Sequence, residues 1–354
     1  MNILHIVSNK VWGGGERYVL DLCRAQESEG HSVAVITRGY DEVDIPFSNA
    51  GFKPGNLVLG GVWDFITPIR LAGVLNKMAE PIVVHVHNFK DARIAVHARK
   101  LMKDPSKARI VVTRHLVKAA PTGKSAKALF DAVDAIIFVS QTALEGFLQS
   151  KPEVDPEKLH VVPNAVVPPS LRREIPEHPT ILFCGRIAPE KGLATLVDAF
   201  AKLPLELDAR LVVAGSGKGP DVMPIVKRAR AEGIAHRIEW LGYVENVWPH
   251  ISAATIGVVP SIGTEACGLS ALEMMSVGVP VVASRKGGLA EIISDNVDGR
   301  LFTPGNADEL AKVLEELLSN PAELQKLGEA GRQKVMQQYA YPDFYHRIMQ
   351  IYAV

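Results

Sequence analysis

Ten short apolar runs alternate along this chain with segments of helical periodicity. The runs are Ile3–Val7, Ser32–Ile36, Ile82–His87, Ile110–Thr113, Ala135–Val139, Ile181–Phe183, Leu211–Ala214, Ile238–Leu241, Ile256–Val259 and Val279–Ala283. Short buried strands that alternate with helices are typical of βαβ units, in which the strands are parallel and helices cover both faces of the sheet. There are enough strands for two such sheets. The pattern therefore predicts an α/β protein with two doubly wound domains.

The boundary between the two domains is predicted in the segment 163–179. Five prolines crowd there with charged residues, and no hydrophobic periodicity survives, as expected of a linker. We therefore expect a first domain over 1–168 and a second over 169–339. With 354 residues, 47% of them hydrophobic, the chain is long enough to bury two ordinary cores. The aromatic and aliphatic residues of 335–354 recur at helix-like intervals and predict an amphipathic helix.

Charge, cysteine spacing and the length of the apolar runs exclude several classes of protein. The formal net charge is zero, so nothing favours a nucleic-acid partner. Cys23, Cys184 and Cys267 lack the spacing of a disulfide framework or a metal site, which favours a reducing compartment. The run Ile3–Val7 is too short for a signal peptide, and no run approaches the roughly 18–20 apolar residues that span a bilayer. We therefore expect a cytoplasmic protein.

A turn of small residues between two carboxylates predicts an anion-binding pocket. Glu265 precedes the turn, and Glu273 lies one turn into a helix that ends at Gly278. The backbone N–H groups of 269–271 would lack intrahelical partners and carry the positive end of the helix dipole, which suits a phosphate group. Glu273 would then accept hydrogen bonds from ribose hydroxyls. Read alone, the spacing of Ser270 and Glu273 also fits a capping box, the Ser-x-x-Glu signature of an ordinary helix start.

A second segment, which carries two cations, favours the anion-binding pocket over the capping box. A buried strand is followed by a turn at Gly185 and by a helix predicted to begin with Pro189 at its first position. Arg186 and Lys191 then lie near a helix N-terminus, where the dipole disfavours each cation by roughly 0.3–1 kcal/mol. An anion should compensate. Glu190 would do so as a weak surface ion pair, and a bound diphosphate would do so through charge-assisted hydrogen bonds to both cations.

Together with four further motifs, these segments resemble the retaining glycosyltransferases of family four. The motifs are Glu265-x7-Glu273, Gly185-Arg186…Glu190-Lys191-Gly192, Val162-Pro-Asn164-Ala165, Ala214-Gly215-Ser216-Gly217, Leu241-Gly242-Tyr243 and Lys286-Gly-Gly288…Glu291-Ile-Ile293. They occur in order along essentially the whole chain. The resemblance implies the GT-B fold, two Rossmann-like doubly wound domains that face each other across a cleft, with the carboxy-terminal helix, 340–354, packing back on the first domain. Many members read Glu-Pro-Phe-Gly where this chain has Glu265-Ala266-Cys267-Gly268.

The resemblance also implies a reaction and roles for individual residues. A sugar moves from a nucleotide diphosphate-sugar, with a UDP-sugar favoured, to an acceptor hydroxyl with retention at the anomeric carbon, in the synthesis of cell-envelope glycolipid, lipopolysaccharide or polysaccharide. Carried over, Arg186 and Lys191 bind the diphosphate, Glu273 the ribose and Glu265 the sugar near its 3-hydroxyl. The other donor-binding residues implied are Gly14, Gly15, Gly185, Gly215, Tyr243, Val244, Gly268, Leu269 and Ser270.

In the first domain, a glycine-rich turn follows the first strand. Glycine at such a turn lets the backbone approach a ligand closely, and the resemblance implies that Gly14 and Gly15 close over the donor phosphates. As a dinucleotide fingerprint the segment is poor. Tyr18 occupies the place of the third small residue, which disfavours a nicotinamide cofactor.

Three histidines follow or end the strands of the same domain. Alternation puts His85 and His87 on one face of a strand, and His85 is the more typical of a hydrogen-bonded core histidine. By resemblance, His115 lies beside the donor sugar and is a catalytic candidate with Glu265, Arg186 and Lys191. His87 lies nearer the acceptor, and we assign Arg114 and Lys118 to the acceptor side as well.

The segment 99–127 is rich in lysine and arginine and contains the single acid Asp104. Such a charge run is commonly a solvated face. The alternative is a contact surface for an anionic acceptor or for the inner face of the cytoplasmic membrane, where each basic group contributes about 1 kcal/mol. The expected partner is a glycan or glycolipid acceptor, and contact with the membrane surface would suit a glycolipid.

No Asp-x-Asp or histidine-rich metal cluster stands out in the sequence, so we expect metal-independent chemistry and no cofactor, the nucleotide-sugar being a substrate. The cations Arg186 and Lys191 would stabilise the departing diphosphate instead. Two other classes stay open. A sugar-nucleotide epimerase of the same fold would act without an acceptor, and a non-catalytic binding subunit would hold the donor without turnover.

Overall fold

The computed structural model describes residues 1–57, 65–170 and 176–353. The chain divides into two compact units, which we call the amino-terminal domain (Met1–Asn164 with Pro342–Val354) and the carboxy-terminal domain (Ala165–Tyr341). Part of the predicted linker, including Arg172, Arg173 and Glu174, lies outside the described residues.

The amino-terminal domain is built on a seven-stranded parallel sheet with the order β3-β2-β1-β4-β5-β6-β7. Its strands are β1 Asn2–Ile6, β2 Ser32–Thr37, β3 Gly55–Asn56, β4 Ile82–Val86, β5 Ala108–Arg114, β6 Ala135–Phe138 and β7 Leu159–Val161. Its helices are α1 Gly14–Ser28, α2 Asp41–Asn49, α3 Ile66–Leu75, α4 Phe89–Lys100, α5 Lys124–Ala132, α6 Gln141–Leu148 and the last helix of the chain, α14 Tyr341–Ala353.

The carboxy-terminal domain has a six-stranded parallel sheet with the order β10-β9-β8-β11-β12-β13. Its strands are β8 Thr180–Cys184, β9 Arg210–Ala214, β10 Ile238–Gly242, β11 Ile256–Val259, β12 Val281–Ser284 and β13 Arg300–Phe302. Its helices are α7 Leu193–Phe200, α8 Gly219–Ala231, α9 Trp248–Ser252, α10 Leu269–Ser276, α11 Gly288–Ile292, α12 Ala307–Leu318 and α13 Pro321–Gln338.

Both sheets are buried as the apolar runs predict. Every residue of β4 is buried, and so is every residue of β11 and β12, because helices cover both faces of a parallel sheet. The ten predicted strands are all present. The three strands that the sequence did not predict, β3, β7 and β13, are only two or three residues long and lie at sheet edges, where a strand needs no long apolar run.

One predicted helix start is wrong. Pro189 opens a single 3₁₀ turn, Pro189–Lys191, and α7 begins only at Leu193, after Gly192 in the left-handed conformation (φ 70°). A side chain at Gly192 would place its Cβ 1.9 Å from the Pro260 carbonyl oxygen, so the close approach of these two loops requires glycine and interrupts the helix.

Each sheet changes its winding direction once. In the amino-terminal domain the chain runs outward from β1 through β2 to β3 and then returns to β4; in the carboxy-terminal domain it runs from β8 to β10 and returns to β11. In open parallel sheets, ligands bind beyond the carboxyl ends of the strands at this switch point. The loops after β1 and β4, and after β8 and β11, are therefore where the two candidate sites are expected.

Candidate active site

Three loops of the carboxy-terminal domain are joined by backbone hydrogen bonds at its switch point. The loop after β8 bonds on one side to the loop after β9, through the Ile187 N–H and the Ser216 carbonyl oxygen (2.8 Å). On the other side the Glu190 carbonyl oxygen accepts from the N–H groups of Ile262 and Gly263, at 3.0 and 2.9 Å, in the loop after β11. The predicted donor-binding residues of these loops are therefore held in one rigid assembly.

Glycines permit this packing. An ideal Cβ on Gly215 would lie 1.8 Å from the Gly185 carbonyl oxygen, and one on Gly217 would lie 2.2 Å from the Ile187 carbonyl oxygen. Real Cβ contacts essentially never fall below 3.0 Å. The glycines of the Ala214–Gly217 motif are thus explained by loop-to-loop contact in the protein itself, before any ligand is considered.

Lys191 and Glu265 form an ion pair across the switch point. The Lys191 Nζ lies 2.5 Å from Glu265 Oε1, and the same oxygen accepts from the Ser261 hydroxyl at 2.6 Å. Both side chains are mostly buried, with 29% and 17% of their surface exposed. The sequence predicted these residues in separate roles, on the diphosphate and on the sugar, and gave no signal that they contact each other, because 74 positions separate them.

Arg186 forms an ion pair with Glu190, which is one of the two alternatives that the sequence left open. Its Nη2 lies 2.6 Å from Glu190 Oε1, and the two side chains are 63% and 48% exposed. An exposed ion pair of this kind contributes at most about 1 kcal/mol. Arg186 is therefore free energetically to exchange its partner for a bound anion.

The start of α10 excludes the capping box. The N-cap is Gly268, in the left-handed conformation (φ 77°), and no side chain caps the helix. Ser270 is the second helical residue. The Ala271 N–H, one of the three amides predicted to be unpaired, donates to the Gly268 carbonyl oxygen at 2.9 Å. The prediction of a helix N-terminus at this point is confirmed, and the amides of Leu269 and Ser270 remain the candidates for a phosphate.

Glu273 lies near the carboxyl end of β8. Burial, together with the Glu273 carboxylate, raises the pKa of the Cys184 thiol to about 12, so the carboxylate lies close enough to act on the last residue of that strand. Tyr243 and Val244 follow the edge strand β10, and the Tyr243 side chain is 62% exposed. The predicted donor residues of this domain thus all follow the carboxyl ends of β8, β9, β10 and β11, at one edge of the sheet.

In the amino-terminal domain, one histidine within β1 and two that directly follow β4 and β5 form a stack. The rings of His5 and His87 lie 5.6 Å apart and those of His87 and His115 lie 5.4 Å apart, with interplanar angles of 16° and 27°. Tyr18 closes the stack in an edge-to-face arrangement, its ring centroid 4.9 Å from that of His115. Sequence reasoning missed His5; its place in β1, beside β4 at the switch point, was the available signal.

His5, His85 and His87 are the described residues whose positions could hold a metal ion. Their six ring nitrogens, however, all have hydrogen-bond partners. The partners are Gln26 and His87 for His5, Tyr352 and Thr113 for His85, and His5 and His115 for His87. Burial lowers the pKa of His5 to about 4 and that of His85 well below its usual value. The arrangement is a network of neutral imidazoles, and His85 is the hydrogen-bonded core histidine that the sequence predicted.

The glycine-rich turn leads directly into α1. Gly13 is the N-cap, so Gly14 and Gly15 are the first two helical residues, and an ideal Cβ on Gly15 would lie 3.8 Å from the His115 ring. Glu16, which sequence reasoning did not single out, is buried, accepts a hydrogen bond from Asn9, and has its pKa raised by burial. A buried acid in the first turn of a helix is favoured by the dipole.

The basic segment 99–127 is not a continuous free cationic face. Acids from outside the segment pair with several of its residues: Asp134 with Arg99, Glu80 with Lys107, and Asp131 with Lys127. Arg114 is buried with its guanidinium 4.9 Å from the centre of the Phe89 ring. The exposed lysines that remain are Lys100, Lys103, Lys118 and Lys124. The acceptor-side roles of Arg114 and Lys118 stay predictions.

No helix among the described residues combines the length and the apolar character needed to span a membrane. Among curated proteins, the chain is 30% identical over 250 residues to alpha-maltose-1-phosphate synthase of Mycobacterium tuberculosis, covering 62% of this chain and 63% of that protein. It is 28% identical over 287 residues to the MMP alpha-(1->4)-mannosyltransferase of Mycolicibacterium hassiacum, covering 78% and 66%. This chain spans less than two thirds of the length of either relative.

Solved structures with the same fold include Anabaena HepE in complex with UDP-glucose, with a TM-score of 0.85, 17% identity and coverage of 100% and 99% of the two chains. Sucrose-phosphate synthase from Thermosynechococcus elongatus has a TM-score of 0.81, 23% identity and coverage of 99% and 98%. These likenesses confirm the GT-B fold with its two Rossmann-like domains. The family model described as Glycosyltransferase Family 4 matches residues 12–168, and the model described as Glycosyl transferases group 1 matches residues 172–334. Because the two matches together span most of the chain, in the order and at the positions of the two domains, this protein belongs to glycosyltransferase family four.

Proposed function

We propose that this protein is a retaining glycosyltransferase that moves a sugar from a nucleotide diphosphate-sugar to an acceptor hydroxyl. The observation that carries the proposal is the Lys191–Glu265 ion pair at the switch point of the carboxy-terminal sheet, beside the start of α10. A cation suits the diphosphate and a carboxylate suits sugar hydroxyls. The two groups lie in one set of loops, as a donor that contains both a diphosphate and a sugar would require.

The Lys191–Glu265 ion pair breaks when the donor binds. Lys191 moves its Nζ from Glu265 to a diphosphate oxygen, and Arg186 exchanges Glu190 for the same diphosphate. Glu265 is then free to accept hydrogen bonds from the sugar, with the Ser261 hydroxyl retaining it at one oxygen. Charge builds on the departing diphosphate in the transition state, so two cations positioned in advance stabilise that state more than the ground state. The chemistry proceeds without a metal ion.

The donor is a UDP-sugar and the acceptor a cell-envelope glycan or glycolipid. HepE has been solved in complex with UDP and UDP-glucose, which supports uridine. A relative from Mycobacterium tuberculosis, 28% identical over 228 residues, is a GDP-mannose-dependent alpha-(1-6)-phosphatidylinositol monomannoside mannosyltransferase, which supports a lipid-linked acceptor and makes guanosine the alternative base. The enzyme works in the cytoplasm, with the exposed lysines of 99–127 in contact with anionic lipid at the inner membrane face.

A thermal-shift screen tests the donor site. Purified protein is heated with UDP, GDP, ADP, CMP or NAD beside an Arg186→Ala, Lys191→Ala double variant and a Lys227→Ala control on exposed α8. A ligand that binds only the folded state raises Tm. We expect UDP to raise the Tm of the wild type and the control and to leave the double variant unchanged. A shift with NAD alone, or equal shifts in all three proteins, would refute the site.

Product analysis tests the reaction. Transfer to a sugar or glycolipid acceptor should give a product with the anomeric configuration of the donor, and an excess of EDTA should leave the rate unchanged. An inverted product would refute retention. An altered donor sugar without acceptor would identify an epimerase, and tight UDP-sugar binding without turnover would identify a binding subunit. Sedimentation with phosphatidylglycerol vesicles at low salt tests the membrane contact, and unchanged sedimentation would refute it.

A further inference from the structure

A chain of hydrogen bonds joins a buried amide to the partly exposed His115. Gln26 of α1 lies with its Oε1 2.8 Å from His5 Nε2. His5 Nδ1 lies 3.3 Å from His87 Nε2, and His87 Nδ1 lies 3.2 Å from His115 Nε2. The chain thus runs from the core of the amino-terminal domain to the carboxyl end of β5.

All three imidazoles in this chain are neutral near pH 7. Burial lowers the pKa of His5 and of His115 to about 4, and burial together with the neighbouring histidines lowers the pKa of His87 well below its usual value. A neutral imidazole has one ring nitrogen that carries a proton and one that only accepts. Each ring therefore passes on the direction of the hydrogen bond that it receives.

The direction is fixed by the first group. The Gln26 carbonyl oxygen can only accept, so His5 carries its proton on Nε2 and has a bare Nδ1. His87 must then donate from Nε2 to that nitrogen, which leaves its own Nδ1 bare. His115 in turn must donate from Nε2 and is left with a lone pair on Nδ1. Among the described residues no hydrogen bond to this nitrogen is formed.

A second arm of hydrogen bonds leaves from the other end of the Gln26 amide. Its Nε2 donates to the Tyr352 hydroxyl at 3.3 Å, and that hydroxyl lies 2.6 Å from His85 Nδ1. His85 Nε2 in turn lies 2.6 Å from the Thr113 hydroxyl. These four side chains are buried. Rotating the amide by half a turn would reverse the proton positions along both arms, so the state of His115 depends on the orientation of this one amide.

We infer that Gln26 is a positioning residue that fixes His115 as the Nε2–H tautomer and thereby presents its Nδ1 as a hydrogen-bond acceptor for a substrate hydroxyl. The mechanism needs no charge and no movement. An acceptor nitrogen recognises a hydroxyl as a donor, and the opposite tautomer would present an N–H there instead. Its effect on transfer rests on the proposed function, whereas the tautomer itself does not.

The direct test is the ring nitrogens of protein labelled with ¹⁵N-histidine. Two-bond ¹H–¹⁵N correlations distinguish a protonated from a bare ring nitrogen, and His115→Gln identifies the signals of that residue by their loss. In the wild type at pH 7.5 we expect a single His115 species that is protonated on Nε2. A His115 that is protonated on Nδ1, or a mixture in the wild type, would overturn the inference whatever a Gln26 variant does.

Variants test the cause. Gln26→Met removes the acceptor at similar length and should turn the single His115 species into a mixture, whereas Gln149→Met, the same change at an exposed site, should not. With transfer measured in parallel, Gln26→Met should lower kcat/KM by twofold to about tenfold, the loss of one hydrogen bond, with the affinity for UDP unchanged. A His115 tautomer unchanged in Gln26→Met would overturn the inference. The expected tautomers without any transfer in the wild type would refute the proposed function and leave the inference standing.

Discussion

Replacing Gly215 by alanine should damage the donor site through a contact between two loops of the protein. The new Cβ would lie 1.8 Å from the Gly185 carbonyl oxygen and 2.9 Å from its carbon. Since real Cβ contacts essentially never fall below 3.0 Å, the loops after β8 and β9 must separate by about 1.2 Å. Backbone cannot yield as a flexible side chain does. The effect is spatial, because Gly215 is not among the glycines with a positive φ.

Two hydrogen bonds beside the clash set its size. The Gly185 N–H donates to the Ala214 carbonyl oxygen at 3.0 Å, and the Gly215 N–H donates to the Gly242 carbonyl oxygen at 2.7 Å. Weakening both costs about 1 kcal/mol each, and forced overpacking costs about 1–3 kcal/mol. We expect Gly215→Ala to lower the free energy of unfolding by about 3–5 kcal/mol and to weaken UDP binding, because Gly185 adjoins Arg186.

Urea denaturation and a UDP titration measure the two effects. Ser216→Ala, in the same loop, adds no Cβ and should change neither. Gly73→Ala, in a helix interior with open space around the new methyl group, should stabilise the protein by up to about 1 kcal/mol. If Gly215→Ala matches the wild type in both measurements, the loops are not packed as described and the reasoning fails.

Three further changes test other parts of the two sites. Glu273→Ala should weaken UDP binding without the loss of Tm that removal of a cap would cause, because no side chain caps α10; a lower Tm with intact affinity would restore the capping interpretation. Lys191→Met should lower the free energy of unfolding by about 1–3 kcal/mol, since it strips a mostly buried carboxylate of its charged partner, and adding Glu265→Gln should recover part of that loss in urea. Acidification from pH 7.5 to 5 should destabilise the protein. Burial lowers the pKa of His5 to about 4, so the folded state binds fewer protons than the unfolded chain. The stability that this residue contributes above about pH 6.5 is lost as the pH falls toward 4, and the loss is about 2 kcal/mol at pH 5. Burial raises the pKa of Asp91 to about 6, which shifts stability the other way by about 1.5 kcal/mol over the same interval. A His5→Gln variant should therefore show a flatter pH dependence of the free energy of unfolding, measured with urea at each pH. An unchanged pH dependence would contradict the low pKa of His5.

The fold could be predicted because its signal is local. Each central strand is a continuous apolar run, since a strand covered on both faces has no polar side, and the runs alone recover both sheets. The same argument explains the failures. Strands β3, β7 and β13 pair on one side only, so their sequences carry no such run. The sequence predicts a helix that begins at Pro189, because the contact that interrupts it, between Gly192 and Pro260, joins residues that lie far apart in sequence.

The candidate site was predicted residue by residue and not pair by pair. Motif spacing identified the loops that carry Lys191, Glu265 and Glu273, but the ion pair between the first two depends on how separate loops pack. The basic segment shows the same limit. Its composition predicts a cationic surface, and acids brought by other elements, such as Asp134 and Glu80, pair with part of it. Contacts between distant positions are the information that a single sequence does not display.

The candidate sites at the two switch points are held together by different interactions, so we expect them to respond differently to salt and to pH. In the carboxy-terminal domain the site is made of ion pairs, which salt screens. In the amino-terminal domain it is made of neutral imidazoles and a buried amide, whose order comes from hydrogen-bond direction and is insensitive to salt until protonation destroys it. Raising the ionic strength at pH 7.5 should therefore weaken UDP binding while the His115 tautomer persists. Lowering the pH toward 4 at constant ionic strength should collapse the tautomer order, because a protonated imidazole donates from both nitrogens and no longer transmits a direction.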